Sequence, residues 1–189
     1  MHSGSTGREG RPIEGEAGDD QERFARVYDA YGQRVYAFAL RLAGRKNEAE
    51  DLFSETMLRT FSAIKRGSEP EGDMFPWLCT ICVNAFRDTK RKERTRRLYE
   101  EDVRSRYYPG SSWDPGAHGT SEQELGASWQ QIHSLIAAMP SDQRTCLLLK
   151  LAGHSYQEIC ELMGVDQRQL KNSIQNAMYA LRARFSHRK

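Results

Sequence analysis

From Phe24 to Leu42, apolar residues return every third or fourth position. Phe24, Val27, Tyr28, Tyr31, Val35, Phe38, Ala39 and Leu42 therefore share one face of a predicted helix. Gly44 breaks that pattern. Asn47 is then a candidate N-cap, with Glu48, Glu50 and Asp51 placed where a helix dipole favours acids. Leu52, Phe53, Thr56, Leu58, Phe61 and Ile64 form the second apolar face, and residues 67–72 read as a loop. A third helix is expected to start near Asp73 or Met74, with Pro76 in its first turn. Phe75, Leu78, Ile81, Cys82, Ala85 and Phe86 make its buried stripe. The same helix then turns cationic.

Past Leu98 the periodicity fades. Residues 98–121 are acidic, contain Pro109-Gly110 and Pro115-Gly116, and read as a flexible linker. A second helical module follows, with a stripe of Leu125, Trp129, Ile132, Leu135, Ile136 and Met139 stopped by Pro140. Ser141-Asp142 is read as the cap of a helix carrying Cys146, Leu147, Leu148, Leu149 and Leu151. Ser155 and Glu158 have capping-box spacing ahead of Ile159, Leu162 and Met163. Gly164 makes a turn, and a last helix is expected from about Asp166 to Phe185. A short helix, a Gly turn and a longer helix form the helix-turn-helix layout, which generic three-helix domains also share.

The expectation is an all-α protein of two small helical domains joined by a flexible linker. The boundaries read as a disordered tail over 1–23, a first domain over 24–97, a linker over 98–121 and a helix-turn-helix domain over 122–189. No run approaches 18 apolar residues, so no membrane helix is expected. The first 23 residues are net acidic and lack an apolar segment, so they are not read as a signal peptide, and the cytoplasm is the expected compartment. Four cysteines are too few for a disulfide scaffold.

Charge changes the picture. The net charge is only +2, yet residues 84–97 alone carry +5 and residues 129–189 carry +4. Such patches fit a polyanion partner, or else a solvated basic face. Lys90, Arg91, Arg94 and Arg97 can line one side of a helix and meet phosphates. Asn84 can pair with a base edge. Phe75 and Trp77 either pack in the core or offer aromatic surface to an opened strand. Cys79-x-x-Cys82 has zinc-like spacing but sits in an apolar helical stretch, so core cysteines are the reading preferred. His133 and His154 are isolated. Neither a phosphate loop nor a Ser/His/Asp arrangement is apparent, so no enzyme, metal or cofactor is expected.

Four stretches together resemble the extracytoplasmic-function (ECF) group of bacterial sigma factors. They are residues 47–52, residues 75–84 with Asp88, Met139 to Arg144, and Gly153 to Ile159. The resemblance implies core RNA polymerase and promoter DNA as partners and leaves an anti-sigma factor open as a third. It implies polymerase contacts at Glu50, Asp51, Ser54 and Glu55. It implies −10 contacts at Trp77, Asn84, Arg87, Asp88, Lys90, Arg91 and Arg94. The last helix would read the −35 element through Gln167, Arg168, Gln169, Lys171, Asn172 and Gln175. That helix departs from the family, because Ser173, Asn176 and Met178 stand where Arg is usual. Two other readings stay open: a sigma-like adaptor without autonomous promoter reading, and a helix-turn-helix regulator that never joins polymerase.

Overall fold

The computed structural model describes residues 14–107, 132 and 134–185. Among the described residues the fold is helical throughout, with no strand. The elements are α1 (Glu14–Ala43), α2 (Lys46–Ile64), α3 (Met74–Tyr107), α4 (Ser141–Leu151), α5 (Tyr156–Met163) and α6 (Gln167–Phe185). None of these helices is long and apolar enough to cross a membrane.

The first module is α1, α2 and α3 packed side by side. Val27, Val35, Phe38, Ala39 and Leu42 are the buried face of α1. Gly44 ends that helix with φ of 82°, a left-handed conformation that Gly adopts without a Cβ penalty. On α2 the buried face is Ala49, Leu52, Thr56, Met57, Thr60, Ala63 and Ile64. Thr56 and Thr60 are fully buried because each hydroxyl donates to the carbonyl four residues back, at 2.7 and 2.8 Å. Leu58 departs from the expected stripe and stays 64% exposed. Leu78, Cys79, Cys82, Val83, Ala85 and Phe86 close the core from α3. Leu42 has no exposed surface, and its truncation to Ala would cost about 2–5 kcal/mol.

Four boundaries differ from the sequence expectation. Helix α1 begins at Glu14, so much of the expected tail is helical. Its first turns carry Glu14, Glu16, Asp19 and Asp20, which the positive end of the dipole favours. Helix α3 runs to Tyr107, ten residues into the expected linker. Residues 99–106 hold Arg, Glu, Asp, Val, Ser and Tyr with neither Gly nor Pro, so nothing in them stops a helix already formed. The N-cap of α2 is Arg45 rather than Asn47, and Pro140 rather than Ser141 occupies the cap of α4; neither cap makes a side-chain hydrogen bond. The remaining linker residues, together with Leu125, Trp129 and His133, lie outside the described residues.

The second module matches its expected layout closely. Helix α5 opens on the Ser155–Glu158 capping box and ends at Gly164, with φ of 67°. Asp166 and Gln169 cap α6 reciprocally: Asp166 Oδ1 accepts from Gln169 N at 2.8 Å, and Asp166 N donates to Gln169 Oε1 at 3.3 Å. Leu170, Ile174 and Ala177 turn inward from α6.

The two modules pack against each other. Phe38, Leu42, Cys82 and Phe86 belong to the same buried cluster as Ile136, Leu148, Leu149 and Ile159. Thr80 Oγ1 on α3 meets His154 Nε2 at 2.9 Å across this seam. The guanidinium of Arg87 donates to the Leu162 carbonyl at the end of α5.

Candidate nucleic-acid interface

Helices α2 and α3 leave an open groove with no α1 residue in its lining. Its wall holds Leu58, Arg59, Arg66, Trp77, Ile81 and Asn84. Asn84 is exposed and Trp77 partly buried, so one face presents an amide, an aromatic ring and cations together. Trp77 also packs against the core of the first module, so core packing, one of the two readings from the sequence, accounts for part of its ring. Phe75 does not join this groove, because the Arg34 guanidinium lies 3.9 Å above its ring.

Below Asn84, the expected −10 residues divide by partner. Asp88 Oδ2 accepts from Arg59 Nη1 of α2 at 2.9 Å, and its other oxygen accepts from Arg91 at 2.7 Å. The hydrogen bond from Arg59, aided by the charges of Arg59 and Arg91, holds the Asp88 carboxyl below the usual range. Arg59 in turn donates to Glu55 Oε1 at 2.7 Å. Lys90 points toward α2, donating to Glu48 and Glu93 at 3.1 Å each. Burial works against its charge, but these two carboxylates outweigh it and raise its pKa. Lys90 is thus a brace between α3 and α2 rather than a free cation. Arg87 is occupied at the seam, whereas Arg94 is exposed. No charge count along the helix could separate these cases, because the separation depends on which carboxylates α2 brings alongside.

The acidic face of α2 presents Glu50, Asp51 and Ser54 to solvent. The Ser54 hydroxyl donates to the Glu50 carbonyl at 2.9 Å, and Glu55 is drawn into the Arg59 pair. Asp51 and Glu55, one turn apart, line a cleft with Glu48, Asp88 and Lys90.

On α6, Gln167, Arg168, Gln169, Lys171, Asn172 and Gln175 are all exposed, opposite the buried Leu170–Ile174–Ala177 face. Arg168, Lys171, Asn172 and Gln175 follow i, i+3, i+4, i+7 spacing and share one stripe. Gln169 is committed to the cap through Asp166, so its amide oxygen is not free to read a base. Met178 is 37% exposed and does not fill the core.

The cysteines serve the core, as their setting in the sequence suggested. All four are free thiols. Burial drives the Cys79 thiol up, raises Cys82 to about 12 and raises Cys146 to about 11, so these three stay protonated at neutral pH. No cluster of three or more His, Cys, Asp or Glu able to hold a metal ion occurs among the described residues.

A helical module with an exposed Asn–Trp–Arg groove, docked on a helix-turn-helix with an exposed polar stripe, defines the class: a two-module helical DNA-binding protein. Residues 27–96 match the family described as Sigma-70 region 2, and residues 129–181 match Sigma-70, region 4. The chain is 31% identical over 148 residues to the ECF RNA polymerase sigma factor EcfG of Rhodopseudomonas palustris, covering 78% of this chain and 76% of that one. It is 30% identical over 147 residues to the RNA polymerase sigma factor CarQ of Myxococcus xanthus, covering 77% and 79%. In fold it is similar to a chain of the solved complex of the sigma factor RpoE with the anti-sigma factor NepR from Bartonella quintana. That likeness has a TM-score of 0.61 at 22% identity, over 89% of this chain and 99% of that one. The chain belongs to the ECF group of RNA polymerase sigma factors. Its function is to direct core polymerase to promoters and begin transcription there.

Proposed function

We propose that the first module carries the polymerase and −10 contacts and that the second reads the −35 element. Asn84 and Trp77, two turns apart on the face of α3 that lines the open α2–α3 groove, are the observation that carries this reading. Asn offers a donor and an acceptor to a base edge, and the indole face can stack on an unpaired base. Arg91 and Arg94 continue the surface along α3 to phosphates, while Asp88 and Lys90 hold α3 in register with α2. Glu50, Asp51 and Ser54 are the proposed polymerase face, with Glu55 fixing Arg59 behind it. On α6 the proposed readers are Arg168, Lys171, Asn172 and Gln175, with Gln167 beside the cap.

The two promoter elements are about 25 base pairs apart by their names, or about 85 Å along a duplex. The modules touch, with Thr80 and His154 only 2.9 Å apart. Reading both elements therefore requires them to separate. The segment 108–131 joining them reaches at most about 86 Å when fully extended, to which the modules add their own width. The docked arrangement is the free or held state, and the engaged state is open. An anti-sigma factor is a fitting partner for the docked form. Because polymerase and chromosome lie in the cytoplasm, the protein is placed there, acting without catalysis of its own.

The adaptor reading is favoured by one observation: Ser173, Asn176 and Met178 leave α6 without three cations at positions where the family usually carries Arg. Transcription reconstituted from purified core polymerase, this protein and a candidate promoter separates the two. Run-off product that falls at least tenfold with Asn84→Ala supports the sigma reading. Core binding without any product, rescued only by a second DNA-binding protein, would establish the adaptor.

A further inference from the structure

Where α3 passes the start of α4, the two modules enclose a cleft walled by Arg45, Lys90, Arg96, Arg97 and Arg144. Two carboxylates, Glu48 and Glu93, share that wall. Three of the cations are already paired. Arg45 lies 3.4 Å from Glu48, Lys90 lies 3.1 Å from Glu48 and from Glu93, and Arg96 lies 3.5 Å from Glu100. Arg144 has no carboxylate partner, and Arg97 has none, among the residues whose side chains are described.

Arg144 stands out further. Its Nη1 donates to the Ala137 carbonyl at 3.3 Å, while its buried Nε makes no hydrogen bond. Burial lowers the guanidinium pKa, opposed by the charge of Glu48. A buried donor on a cation is costly to leave unpaired, which favours an acceptor beside Arg144. Ser141, the first residue of α4, also lines the cleft. Pro140 supplies no side-chain cap, so free first-turn N–H groups and the positive end of the helix dipole lie beside these arginines. Asp142 opens instead onto the adjoining cleft beside Phe86 and Arg87.

We propose that this cleft binds a compact polyphosphate anion, the pyrophosphate group of a nucleoside di- or polyphosphate, and that the bound anion clamps the two modules together. Planar guanidinium groups and helix N-terminal amides are the donors such a group needs. A nucleic-acid backbone is a poorer occupant. An extended strand would run past Glu48, Glu93 and Glu100, and the cleft is lost when the modules part to span a promoter. Anion binding and promoter engagement therefore oppose each other by linkage. The consequence for transcription rests on the module assignment above; the binding itself does not.

The test is calorimetric titration of the full chain with inorganic pyrophosphate at constant ionic strength. One-to-one saturable binding is expected. Arg144→Gln and Arg97→Gln should each weaken it about tenfold, as for loss of a charged hydrogen bond. Arg94→Gln, the same charge change outside the cleft, should weaken it less than twofold. Ser141→Glu should also abolish binding while keeping α4 stable, because an acid in the first turn suits the dipole; this guards against Arg144→Gln failing to fold. Small-angle scattering should show pyrophosphate shifting a partly opened variant back to the compact radius. Equal losses across Arg94, Arg97 and Arg144 would reduce the site to a general basic surface and overturn the proposal. Absence of saturation in the millimolar range, or displacement of pyrophosphate from the same arginines by a short single-stranded oligonucleotide at lower concentration, would overturn it too.

Discussion

Thr80 on α3 and His154 ahead of α5 make a polar contact across the two modules, 2.9 Å between Oγ1 and Nε2. His154 is 4% exposed, and its Nδ1 lies 3.1 Å from the Leu149 carbonyl, which orients the ring and leaves Nε2 facing the hydroxyl. Thr80→Val keeps the shape and deletes that partner. A buried ring nitrogen left unpaired costs about 1–3 kcal/mol, charged against the docked arrangement alone. The open population should rise about tenfold or more, read as a larger radius of gyration in small-angle scattering. An unchanged radius would mean that the apolar seam of Phe38, Leu42, Leu149 and Ile159 suffices by itself.

Arg91 and Arg94 lie on the same basic run but are not equivalent. Arg91 enters any DNA complex already bound to Asp88 at 2.7 Å and must share or surrender that pair; Arg94 is exposed. Arg94→Ala should lower the salt slope of promoter-complex formation by about one unit. Arg91→Ala should lower it by less, and Asp88→Asn should raise the contribution of Arg91. Filter binding across a salt series distinguishes these outcomes. Equal slopes for the two Ala variants would show that Asp88 exerts no hold.

The capping box on α5 gives a signed pH dependence. Glu158 Oε2 accepts from Ser155 N at 2.7 Å, and Ser155 Oγ accepts from Glu158 N at 3.2 Å. The backbone hydrogen bond from Ser155 is the main reason the Glu158 carboxyl titrates below its ordinary range. A depressed folded pKa contributes stability that is present above the unfolded value of about 4.3 and is lost as pH falls through the folded value. Glu158→Gln should flatten this part of the melting profile below about pH 5. Ser155→Ala should lower stability by about 1 kcal/mol throughout. Thermal melts across the acid range test both, and an unchanged profile in Glu158→Gln would remove Glu158 from the acid response.

Several helix ends are legible in the sequence because they carry local punctuation: Gly44, Pro76, Gly164 and the Ser155–Glu158 pair act within a few residues of themselves, whereas the start of α1 and the end of α3 carry none. The buried stripe of α1 followed from spacing alone. What spacing could not show was partnership between distant segments. Lys90 and Arg91 look alike in the sequence, yet Glu48 lies 42 residues away and decides that Lys90 turns inward. Gln169 reads as a base reader in the sequence because Asp166 there marks only where α6 starts; the reciprocal bond between them is a feature of the fold. The seam was equally hidden, because Phe86 and Leu149 are both ordinary core residues until the modules meet.

The recognition helix supports the most direct test of function. Its exposed stripe holds two cations, Arg168 and Lys171, followed by Asn172 and Gln175. Each phosphate contact contributes close to one unit of salt slope, so three absent arginines should leave binding of −35 duplexes weak and its slope shallow. Asn176 is exposed and Met178 is 37% exposed, so Asn176→Arg and Met178→Arg can be accommodated without burying a charge. Ser173 is half-buried and is the weakest of the three restorations. Fluorescence anisotropy with the full chain should show Asn176→Arg and Met178→Arg tightening all duplexes alike, because phosphate contacts carry no sequence information. Asn172→Ala should instead change which duplex is preferred, by about 1–3 kcal/mol at the base it reads. Gln169→Ala should leave preference unchanged and lower the melting temperature, because its amide caps α6 through Asp166. If Gln169→Ala alters preference while Asn172→Ala does not, the cap opens on DNA binding and Gln169, not Asn172, is the reader.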